Sequence, residues 1–301
     1  MGYTSDLVLR FLRNYFPLKG ILLVRAFFGH YFSFKCPKIY LKLHKVYCVV
    51  VTLVCVIIIF IMTNEWRKWV IFELVIMTLA SILIEGDCCG KFLSFVECTD
   101  HSFGLGRRNL ASPRLYAAFF IITSIRLYID YINIHAFFVN PVLYSAFTFL
   151  YTGLDLNHLL RIIVFDILYE RAKHLRNHFE SVFSRVNGDD NMISEVKRGI
   201  LLYKELIGSV TMLEKIQVTY LLALVARFAA NVADIHLILC VEKRDEMLLG
   251  KMCRLGSESL YLAALVCAPA VIMELVHNEV DKITSILTIQ HAIATDRELG
   301  A

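Results

Sequence analysis

Charge is what this sequence has least of. Aspartate, glutamate, lysine and arginine together make up 19% of its 301 residues, against about 25% in an ordinary soluble domain. Hydrophobic residues make up 57%, and the mean hydropathy is +0.61. A soluble core does not need that much apolar surface, so the balance predicts an all-α, polytopic membrane protein. Catalytic motifs are also missing: there is no Gly-Lys-Ser/Thr phosphate loop and no G-x-S-x-G elbow, and nothing makes a positive case for an enzyme. No K⁺-filter sequence occurs either. The nine cysteines lack metal spacing. Cys88, Cys89 and Cys98 have no histidines at finger distances, and Cys48, Cys55 and Cys267 lie in apolar runs as small hydrophobes. Neither a metal nor another cofactor is expected. Long linkers, low-complexity tracts and 20–50-residue repeats are absent, so residues 1–301 are read as one domain.

What is present is a strong asymmetry. The first forty-odd residues carry Arg10, Arg13, Lys19, Arg25, Lys35, Lys38, Lys42 and Lys45 against Asp6 alone. That pattern argues against a cleavable signal peptide and places residues 1–45 in the cytoplasm. The net charge of +4 reflects this asymmetry rather than a nucleic-acid footprint, and no nucleic-acid partner is expected. An apolar stretch at 21–28, broken by Arg25, is too short to span and predicts an interfacial or re-entrant helix. Six spans follow, at about 46–62, 69–84, 113–131, from 141, 216–239 and 260–276, with both ends inside. A cytoplasmic loop punctuated by Gly86, Gly90, Gly104 and Gly106 separates the second from the third. Pro269 is expected to kink the sixth. Cys240 and Cys253 flank a charged outer loop where a disulfide can persist.

The organising stretch runs from Pro141 to Leu239. Asn140-Pro141 supplies a cap and a first-turn proline. Beyond an apolar opening, Leu168, Ala172, Leu175, Phe179, Val182 and Val186 fall at alternating steps of three and four, a packing seam on a helix with charged outer faces. Residues 187–191, Asn-Gly-Asp-Asp-Asn, predict a turn, and Val196, Ile200, Tyr203, Ile207, Val210 and Leu213 repeat the seam on the way back. A helix from Pro141 to Val186 would be roughly 70 Å long, over twice a bilayer's hydrocarbon thickness. Helices four to six therefore extend into the cytoplasm, over about 160–215 and 277–301.

His174 and His178 share a helix face but stand alone, which fits a solvated surface better than a metal site. The ionisable residues within spans are the sharper signal: Glu73, Arg126, Arg227, Asp234 and Glu274 should face other helices or water. One reading is internal pairing, for instance of Arg227 with Asp234 two turns on. The other is a cavity in the extracellular half, lined by Glu73, Arg126, Asn231 and Asp234 with aromatic walls from Tyr144, Phe147 and Tyr261. Such a cavity suits a small ligand, sugar-like or bitter.

Local sequence adds a resemblance. Asn157-His158-Leu159-Leu160 with Arg161, Tyr203-Lys204-Glu205-Leu206, and the stretch from Asn278-Glu279-Val280 through Leu287 to Asp296-Arg297-Glu298-Leu299 resemble the corresponding parts of insect gustatory receptors. The resemblance covers essentially the whole chain and implies a ligand-gated cation channel subunit of the plasma membrane. It also implies a tastant as ligand and assembly into a homo- or hetero-oligomer, a tetramer in that family. Such receptors carry a seventh span with a Thr-Tyr…Gln-Phe signature, and this sequence is expected to stop before it. An insect odorant receptor, a six-span transporter and a scaffold whose cytoplasmic helices bind partners stay open beside it.

Overall fold

The computed structural model describes residues 21–31, 37–62, 69–103, 120–129, 131, 141–184, 190–240 and 248–299. Among them every regular element is helical and no strand occurs. The elements are α1 (Ile21–Phe27), α2 (Lys38–Met62), α3 (Trp69–Ala80), α4 (Gly86–Phe103), α5 (Phe120–Ile129), α6 (Pro141–Ser184), α7 (Asp190–Cys240) and α8 (Leu248–Leu299). A π-helical turn, Ser81–Glu85, joins α3 to α4 without a break.

Among the described residues three helices are long and apolar enough to cross a membrane: α2 over Lys38–Ile61, α7 over Met192–Ala233 and α8 over Leu255–Ile293. Shorter apolar helices cover Ile71–Ile84 and Phe120–Ile129. The chain is thus a helical membrane protein. The fourth expected span has a different character. In α6 every residue from 153 to 165 is buried, so protein rather than lipid encloses it, and the stretch includes Asp155, Asn157, His158 and Arg161. α2 is the opposite case: 17% of its apolar stretch is buried, against 39% in α7 and 33% in α8.

The seams expected on the long helices are where the core lies. Leu168, Leu175 and Phe179 of α6 share one buried cluster with Leu202, Leu206 and Val210 of α7 and with Val276, Val280 and Ile283 of α8. Steps of three and four keep each set on one helix face, so three amphipathic rods close on a common apolar centre. Pro269 sits inside α8, which continues through it to Leu299.

Two expectations are corrected. Residues 86–103 form a helix rather than a loop, despite Gly86 and Gly90. Phe92, Phe95, Val96 and Thr99 recur on one face and are buried, three of them in the cluster just described, and that burial outweighs about 1 kcal/mol of unfavourable propensity per glycine. The helix after the outer loop also starts earlier than expected, at Leu248. The 187–191 corner falls partly outside the described residues, which resume at Asp190.

α1 is docked rather than laid on the surface. Leu22, Arg25 and Ala26 point inward at helical spacing, and Leu23, Val24 and Phe27 stay exposed. Gly29, at φ 83°, ends it in a left-handed cap. Its N–H donates to Ala26 O and the His30 N–H donates to Arg25 O, the paired bonds of a Schellman motif. A close approach holds α1 to α6: a Cβ on Gly153 would stand 2.9 Å from Phe28 Cβ.

Candidate functional site

Five helices each send an ionisable side chain to one buried place. Glu73 comes from α3, Arg126 from α5, Asp155 from α6, Arg227 from α7 and Glu258 from α8, and all five are buried. Arg227 is the hub. Its guanidinium lies 3.2 Å from Asp155 Oδ1, 3.3 Å from Glu258 Oε1 and 3.6 Å from Glu73 Oε1. Arg126 Nε donates to Asp155 Oδ2 at 2.5 Å and stands 3.9 Å from Glu258. Charges taken out of water are tolerated only when paired, and this arrangement pairs them across helices distant in sequence.

Aromatic rings complete the enclosure. The Arg126 guanidinium sits 4.9 Å from the Tyr151 ring centroid and 5.1 Å from that of Tyr261, and Arg227 lies 4.6 Å from Tyr151. Cations over ring faces gain most where water is excluded. On the other flank, His158 Nε2 is 3.2 Å from Glu73 Oε1, and Arg161 reaches His158 Nδ1 at 3.2 Å. Tyr220 stacks edge-on to His158, lies under Arg161 and accepts from Arg25 of α1 at 3.2 Å. Arg25 also donates to Asn157 Oδ1. A polar path therefore runs from α1 through α6 and α7 into the ionic centre.

Of the residues picked out from sequence, Glu73, Arg126 and Arg227 meet here. Asn231 is buried one turn beyond Arg227, and Tyr261 packs against Arg126. Phe147 stacks on Tyr151 at 5.9 Å and belongs to an apolar cluster with Leu150 and Leu154. The side chains of Tyr144 and Asp234, and with them the Arg227–Asp234 pairing, lie outside the described residues; the described ion pairs of Arg227 are with Asp155, Glu258 and Glu73. Glu274 is exposed on α8 and takes no part. Cys240 and Cys253 are free thiols, not a disulfide.

Sequence reasoning missed Asp155 and Glu258. Asp155 lies four residues beyond an apolar run, close to Asn157, His158 and Arg161. Such a polar knot inside a stretch expected to touch lipid was the available signal. Glu258 lies just before the expected sixth span, where depth in the membrane gives no signal.

Several polar atoms in this interior keep hydrogen-bonding capacity among the described residues: Glu73 Oε2, the two terminal nitrogens of Arg126, Arg227 Nε and Asn231 Nδ2. Fold and site together define a helical membrane protein with a five-helix ionic core. Neither a family model nor a curated protein matches the chain.

Proposed function

We propose that this chain is a gustatory-type chemoreceptor, a subunit of a ligand-gated cation channel in the plasma membrane. Its N-terminus is cytoplasmic, and its ligand is a small tastant, sugar-like or bitter. The carrying observation is the continuity of α6, α7 and α8, which run 44, 51 and 52 residues without a break. At about 1.5 Å per residue each is at least twice as long as the roughly 30 Å hydrocarbon layer. Rods of that kind carry a displacement at membrane depth to a packed region beyond it. The ionic core supplies the place for a ligand to act, since Arg126, Asn231 and Glu73 keep donors and an acceptor for hydroxyl-bearing molecules.

The test is expression in cells, alone and with candidate partner subunits, under a panel of sugars and bitter compounds with cation currents recorded. Ligand-evoked inward current is expected, and it should be lost in Arg126→Ala. Silence across the panel, with surface delivery confirmed by labelling, would count against the channel.

A membrane transporter is the second reading. The π-helical Ser81–Glu85 turn, two helical turns after Glu73, favours it, because interrupted helices beside buried charge are a transporter device. Substrate uptake into proteoliposomes without a channel-like current would select it.

A further inference from the structure

No acidic residue lies between Asp6 and Glu65. Of the cations in that stretch whose side chains are described, Arg25 is spent inside the bundle on Asn157 and Tyr220. The others, Lys38, Lys42 and Lys45, are all exposed on the first turns of α2. Their spacing of four and three residues places them in one ladder along a single helix face. One position further on, Ile39, Leu43 and Val46 form a second ladder, also exposed, and exposed Val50, Leu53, Val54 and Ile57 continue it along the span. Basic and aliphatic rows thus run side by side and merge into the helix surface that the rest of the bundle leaves uncovered.

Aromatic contacts fix this segment against its neighbours. Lys45 Nζ lies 4.8 Å over the Tyr31 ring, and the Tyr47 hydroxyl donates to Phe27 O at 2.7 Å. Tyr40 and Tyr47 are exposed beside the lysines, the position amphipathic rings take at a membrane–water boundary. Among the described residues no carboxylate pairs with any of the three lysines. Like charges four residues apart repel, and a counter-ion from outside the protein relieves that repulsion.

We propose that Lys38, Lys42 and Lys45 form a docking surface for anionic phospholipid headgroups, with the acyl chains lying along Ile39, Leu43 and Val46. The occupant follows from charge and continuity: the lysine row needs anions, and the row beside it leads directly into the lipid-facing span. A soluble anion would leave that aliphatic row in water. A basic residue near an anionic surface strengthens attachment by roughly fivefold. The inference stands on the membrane class of the chain and does not depend on the receptor reading.

The test uses the purified full chain in detergent micelles with equal amounts of dioleoylphosphatidylcholine and dioleoylphosphatidylserine, read by native mass spectrometry. Serine-lipid adducts should exceed choline-lipid adducts by roughly ten- to a hundredfold. In K38Q/K42Q/K45Q the two should approach parity, and K38R/K42R/K45R should keep most of the preference. If the triple variant is not recovered, the single Gln variants give the same information, each lowering the preference by roughly two- to fivefold. Gln at Lys173, Lys197 and Lys204, exposed on α6 and α7, should leave it unchanged. Parity in the unaltered chain would overturn the proposal, as would a preference that survives K38Q/K42Q/K45Q or falls equally in the control set.

Discussion

Arg227 on α7 and Asp155 on α6 stand 3.2 Å apart, with 1% and 5% of their side chains exposed. Seventy-two positions separate them in sequence, yet each is the other's counter-ion. Among the described residues the direct ion pairs around them join three carboxylates to two guanidiniums, so the two kinds of charge are not interchangeable in consequence.

Removing a guanidinium leaves carboxylates buried without compensation. Arg227→Met should therefore destabilise the chain by roughly 3–5 kcal/mol, seen as a lower melting temperature of the detergent-solubilised protein and a poor yield. Glu73→Gln brings the count to two and two and keeps the side-chain volume, and it should change stability by about 1 kcal/mol or less. Equal loss in both variants would refute this account of the centre.

Arg171 and Asp100 form a second pair between α6 and α4, away from the ionic centre, with 3% and 13% of their side chains exposed. Arg171→Met alone should cost roughly 3–5 kcal/mol, and Arg171→Met with Asp100→Leu should recover most of it. A double-mutant cycle on thermal stability measures the coupling. Additive losses would mean that the pair contributes nothing jointly.

How far sequence reached is clearest at these two places. Composition identified a helical membrane protein, and the three-four spacing of Leu168, Leu175 and Phe179 identified the face that packs. Glu73, Arg126 and Arg227 stood out because charge at membrane depth needs a partner. Who the partner is was not legible. Periodicity relates residues on one helix, whereas the described ion pairs of Arg227 come from three other helices. The 86–103 helix escaped for a related reason: its glycines are visible locally, and the burial of Phe92, Phe95 and Val96 that overrides them is not.

Gly153 tests the docking of α1. Gly153→Ala places a methyl group 2.9 Å from Phe28 Cβ and should cost roughly 1–3 kcal/mol through overpacking. Phe28→Gly removes the obstructing Cβ, so the double variant should be less destabilised than the sum of the two single ones. Thermal melts of the four proteins decide it.

Phe179 lies at the centre of the α6–α8 seam and is fully buried, while Leu201 on α7 is exposed. Phe179→Ala should cost roughly 3–5 kcal/mol and open the long helices to limited proteolysis. Leu201→Ala should stay within about 0.5 kcal/mol of the parent. Digestion patterns that do not differ between the two would contradict the packing described for this region.

An epitope inserted after Gly188 should be reached by antibody only after cells are permeabilised, as a cytoplasmic corner requires. Labelling of intact cells would reverse the sidedness inferred from the basic N-terminal stretch.

The π-helical turn at Ser81–Glu85 carries one more residue than regular winding allows. Because an α-helix advances about 100° per residue, that surplus sets the azimuth of everything downstream. Wound as plain α-helix with all five residues kept, the same stretch would swing Phe92, Phe95 and Val96 about 100° away from the apolar cluster they share with the long helices. Ser81, which opens the turn, accepts from the Tyr31 N–H at 3.1 Å and so keeps its upstream end in place. The surplus residue taken up at this joint is a rotary setting for the whole of α4.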